Sequence, residues 1–156
     1  MKFAGIPIDG NVYSFCEQLK KHGYKHNPEE AESTLSFVGK FYGEDAYVDV
    51  TYDPSNKVVY QVNVSIIKKF AFELTTIQRD IMKAIEDKYV NKKELKDEQL
   101  YQYDYYIFDG YDPIGMIQTF ILDTSQMKPG GESMLSISYL DVENYMKYEE
   151  KKRQDI

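Results

Sequence analysis

Tryptophan is absent from this chain of 156 residues, cysteine occurs once and histidine twice. The lone thiol, Cys16, excludes an internal disulfide and offers no C-x-x-C or metal-ligand spacing. His22 and His26 flank Gly23, which breaks a helix between them, and no cysteine or carboxylate joins them at ligand spacing, so no metal site is expected. Basic residues are also short: 19 Lys and Arg face 26 Asp and Glu, for a net charge of −7. That balance argues against nucleic acid as the main partner, because phosphate-backbone binding needs a dense cationic face. No apolar run approaches a membrane span, so no membrane partner is expected. The opening lacks the apolar core of a signal peptide; the compartment stays open, with a cytoplasmic one favoured. Nucleophile elbow, phosphate-binding loop and H-E-x-x-H are all missing, and no cofactor is expected. Asp104, Asp109 and Asp112 crowd one strand end but lack EF-hand spacing, and read as turn acids.

What the chain does have is alternation. In residues 57–67, KVVYQVNVSII, one set of positions reads Val58, Tyr60, Val62, Val64, Ile66 and the other Val59, Gln61, Asn63, Ser65, Ile67. Successive strand side chains point to opposite faces, so this is a strand with one apolar and one mainly polar face. A strand buried on both sides would be apolar throughout. The pattern therefore predicts an antiparallel sheet, covered by helices on one face and open on the other.

Around that strand the spacing predicts a helix over 11–22, with Val12, Phe15, Cys16 and Leu19 as its apolar stripe and Asp9 or Asn11 as its cap. Residues 26–33 read as a polar loop, and strands follow at 35–42, 46–52 and 57–67. A second helix covers 73–90 with Leu74, Ile77, Ile81 and Ile85 inward, and residues 91–99 read as a charged linker. Three more strands cover 101–108, 115–122 and 134–140. A third helix starts at Asp141 with Val142, Tyr145 and Met146 inward, and residues 149–156 are expected to fray. The expected fold is α+β: one domain over 1–156, an antiparallel sheet of about six strands in two α-β-β-β units, helices packed on one face. The halves 11–67 and 73–140 form a possible internal pseudo-repeat.

The opening, Phe3-Ala4-Gly5-Ile6-Pro7-Ile8-Asp9-Gly10 followed by Phe15, Leu19 and Gly23-Tyr24, resembles the start of small uncharacterised α+β proteins of Bacteroides-type gut bacteria. The resemblance covers about the first 24 residues. It implies a small α+β domain of bacterial or phage origin and carries no activity with it.

Tyrosine is over-supplied, at 15 residues against 8 Phe. Large amphipathic rings suit recognition surfaces. If alternation holds, the open sheet face carries Lys40, Tyr42, Tyr47, Asp49, Thr51, Gln61, Asn63 and Ser65, joined from the second half by Gln118, Ser136 and Ser138. The tyrosine-rich edge adds Tyr105 and Tyr106. This mixture of rings, amides and hydroxyls hydrogen-bonds adaptably and is poor in acid–base or nucleophilic groups. The expected function is a binding or interaction module using this face, with a protein partner or self-association. The alternatives are a small enzyme whose site assembles only in the fold, and a single-strand nucleic-acid binder, which the net charge disfavours.

Overall fold

The computed structural model describes residues 1–8, 10–124 and 130–156, without the side chains of residues 29 and 30. Asp9, the other expected cap, and the middle of the 123–133 connection lie outside the described residues.

The alternating stretch becomes β6 (Val59–Lys68), a central strand of the main sheet. With it run β3 (Lys25–Ala31), β4 (Thr34–Phe41), β5 (Glu44–Tyr52), β7 (Lys92–Asp97), β8 (Gln102–Asp109), β9 (Asp112–Asp123) and β10 (Ser133–Asp141). The order is β3-β4-β5-β6-β10-β9-β8-β7, and all neighbours are antiparallel. The main sheet thus has eight strands rather than about six. The two extra ones are its edges, β3 and β7, in the segments expected as a polar loop and a charged linker. A separate hairpin, β1 (Lys2–Phe3) with β2 (Ile6–Pro7), precedes the first helix.

Each half is a helix followed by a four-strand meander, and the halves meet where β6 pairs with β10. Helix α1 (Val12–Lys21) is capped by Asn11, whose side-chain oxygen accepts from the Tyr13 N–H at 2.9 Å. Helix α2 (Ala71–Lys88) is closed at its start by Glu73, which accepts from the Phe70 N–H at 3.1 Å. Both helices seal one face of the sheet. Val12, Phe15, Leu19, Leu74, Ile81 and Ile85 share a core with Val48, Val50, Val62, Val64, Ile66, Ile117, Leu135 and Ile137. Cys16 is buried there as well.

The third helix, α3 (Val142–Gln154), does not join them. None of its residues is buried, Met146 is 52% exposed, and α3 contributes nothing to that core. The reason is a bulge. Thr51 faces Gln61, but Tyr52 faces Val59, so Tyr60 is the extra residue in β6. Val59 takes the core position that strict alternation would assign to Tyr60. Tyr60 instead stacks on Tyr148 of α3, with ring centroids 4.9 Å apart, and meets Tyr145 at 5.9 Å. The third helix thus stands outside the core that α1 and α2 share, and a tyrosine displaced from that core supplies its docking ring. The segment expected to fray is helical to Gln154, and Lys151 reaches Asp53 at 2.6 Å. Among the described residues, no helix is long and apolar enough to cross a membrane.

Candidate functional site

Strand registers lay the uncovered face out in rows. One row runs Asn27, Ser36, Asp49, Asn63, Ser138, Gln118, Asp104, Leu95 across all eight strands. A neighbouring row holds Lys25, Val38, Tyr47, Ser65, Ser136 and Phe120. On the other side lie Thr34, Thr51, Gln61, Leu140, Met116 and Tyr106. Eight of the expected site residues are therefore brought together: Tyr47, Asp49, Gln61, Asn63, Gln118, Ser136, Ser138 and Tyr106.

Cross-strand hydrogen bonds hold several of them in place. Ser36 donates to Asp49 at 2.6 Å, the Gln61 amide donates to Ser138 at 2.8 Å, and Ser136 donates to Asn63 at 3.1 Å. The Thr34 and Thr51 hydroxyls are 3.3 Å apart. Ser136 and Ser138 are themselves buried between their larger neighbours. Tyr47 stands clear, 49% exposed, over an open depression of about 660 Å³ lined by Lys25, Val38, Lys40, Ile67 and Glu132 among others. Lys40 is bridged to Asp45 at 2.7 Å.

Two expected site residues sit elsewhere. The chain turns at Tyr42-Gly43, both left-handed with φ of 51° and 78°, so strand alternation ends at Phe41. The Tyr42 hydroxyl reaches the Asp80 carbonyl of α2, on the covered side, at 3.5 Å. Tyr105 pairs with Ile117 and lies wholly in the core. Its hydroxyl donates to Glu86 of α2 at 3.0 Å, and burial, aided by that carboxylate, pushes its pKa upward.

Sequence reasoning missed the apolar side chains of the open face. Val38, Met116, Phe120, Leu122 and Met134 join Ile67 on it, with Leu122 46% exposed. The signal was in β9: Met116, Phe120 and Leu122 occupy one set of alternate positions, and Ile117 and Ile121 the other. A strand apolar in both phases puts apolar side chains on the open face as well as in the core.

At the α3 corner, burial, with help from Tyr148, raises the Tyr60 phenol to about 12. Asp53 is nearly buried, which by itself would raise its carboxyl, but the hydrogen bonds from Lys151 and Ser55 outweigh burial and lower it. Among the described residues, no three His, Cys, Asp or Glu side chains are grouped to hold a metal ion. The open face carries hydrogen-bonding side chains and part-exposed aromatic rings. No protein-family model, curated protein or solved structure matches the chain.

Proposed function

We propose that this chain is a binding module whose partner sits on the open face of the sheet. The observation that carries the reading is that the cross-strand bonds of Asp49, Gln61, Asn63, Ser136 and Ser138 hold polar groups beside the half-exposed Tyr47 ring. Groups held in place before contact lose little entropy when a partner arrives. Tyrosine adds a large contact area with few rotatable bonds. Part-exposed Phe120 and Met134 and half-exposed Leu122 widen the patch with surface that burial favours.

The test is capture from cells of the source organism by tagged wild-type chain and by a triple variant, Tyr47→Ala, Gln61→Ala, Asn63→Ala. Partners captured by the wild type should be lost by the variant while its circular dichroism stays unchanged. Capture that survives in the folded variant reduces this face to ordinary surface.

A further inference from the structure

Among the described residues, one buried side-chain oxygen lacks a hydrogen-bond partner: Oδ1 of Asp104. Buried polar atoms are nearly always paired, and an unpaired one costs stability in the free chain. Asp104 stands in β8 on the open face, opposite Leu95 of β7 and Gln118 of β9. Tyr106 follows two residues on along the same face, and Phe120 is its diagonal neighbour on β9, within reach of a long side chain. Both rings are part-exposed. Cations nearby do not relieve the acid. Lys92 and Lys96 are bound on the covered side by Glu94 and Glu86. Lys93, diagonal on β7, forms no ion pair with Asp104 among the described residues.

We infer that Asp104, between Tyr106 and Phe120, is the anchor point for an arginine side chain of a protein partner. This rests on the open face being the binding surface and names the chemistry of what it takes. A guanidinium is planar and carries a fork of donors, so it meets a carboxylate while lying against an aromatic face. A metal ion would need more oxygen ligands than Asp104 and the Gln118 carbonyl supply. The net charge of −7 draws cationic partners from a distance. The part-exposed side of the Asp104 carboxylate meets the guanidinium, and the buried Oδ1 gains a donor as the carboxylate turns outward on binding. The same group is therefore a burden to the fold and an asset to recognition.

The probe is acetyl-arginine amide, titrated into isotopically labelled full-length chain, with acetyl-citrulline amide as the uncharged isostere. Backbone amide shifts of Asp104, Gln118 and Tyr106 are followed by NMR. Arginine amide should move all three, and citrulline amide should bind about ten-fold more weakly, the loss expected for one charge-assisted hydrogen bond. Asp104→Asn, which keeps the shape, should weaken the arginine response by a similar factor. Asp104→Leu should abolish the response and raise the melting temperature. Equal responses to the two amides, an unchanged response in Asp104→Asn, or a lower melting temperature in Asp104→Leu would each overturn the inference. If the arginine response survives Asp104→Asn while the Tyr47, Gln61, Asn63 triple variant loses its captured partner, the open face still binds and only the arginine assignment falls.

Discussion

On β6, Val62, Val64 and Ile66 are sealed in the core, while Gln61 and Asn63 on the same strand spend their hydrogen bonds on Ser138 and Ser136 of β10. The covered face is held by apolar packing, where every methylene removed leaves a void. The open face is held by side-chain hydrogen bonds that replace bonds to water, so each adds little net stability. One strand thus carries the stability of the fold on one side and, on the other, groups that are cheap to rearrange. If the open face is the binding surface, as proposed, recognition can change there without unfolding the domain.

The largest test of this contrast is on the covered face. Ile81→Ala should cost about 2–4 kcal/mol in denaturant melts, the usual range for deleting a buried aliphatic side chain. A loss below about 0.5 kcal/mol would make Ile81 no more than a surface position. Overpacking the same face comes next. A Cβ on Gly39 would lie 2.5 Å from Cδ1 of Tyr24, whose hydroxyl donates to the Lys40 carbonyl. Gly39→Ala should therefore cost about 1–3 kcal/mol, and the cost should shrink in a Tyr24→Ala background if that ring is the obstacle. On the open face, removing both partners together in Asn63→Ala, Ser136→Ala should cost only about 1 kcal/mol, the net worth of one hydrogen bond, because neither group is left unpaired. A loss as large as that of Ile81→Ala would erase the contrast.

The smallest effect is a pH dependence at the α3 corner. The Asp53 carboxyl is lowered in the folded chain, so its contribution is fully present above the ordinary carboxylate pKa of about 4. It is lost as pH falls through the lower folded value. Removing residues 149–156 deletes Lys151 and should lower the melting temperature slightly near neutral pH. The difference from the full chain should vanish in acid. A difference that persists there would mean the deleted turns support α3 by more than the Lys151–Asp53 ion pair.

The central strands were legible in the sequence because they separate a covered face from an open one, which is what alternation records. The two missed strands, β3 and β7, are the sheet's edges. Their side chains are mostly solvated on both faces, so Lys92–Asp97 carries charge in both phases and reads as a linker. Charge and Pro28 are also how natural sheets guard their edges. Tyr60 was misread because a bulge is a two-strand property: it shows only when Tyr52 is seen opposite Val59. Tyr42 was misread because its left-handed turn ends the strand one residue early. Seven of the eight gathered site residues follow from alternation alone, and Tyr106 from its opposite phase to Tyr105. The unpaired Asp104 had no sequence signal, since pairing depends on neighbours from β7 and β9.

The seam between β6 and β10 bears on how the molecule assembles. Every other pairing in the sheet joins consecutive strands, across connections of at most nine residues, at lower entropic cost than the seam. Val64 and Ile137 face each other across the seam from the far ends of two meanders, with α2 and three strands threaded between them. Local hairpins therefore form early in each half, and the seam zips last. Truncating Val64 or Ile137 should hasten unfolding and leave the refolding rate almost untouched, as expected of contacts absent from the transition state. The halves should then behave in stopped-flow as two nuclei waiting on a single late closure, with two of the most buried strands of the native sheet the last to be joined.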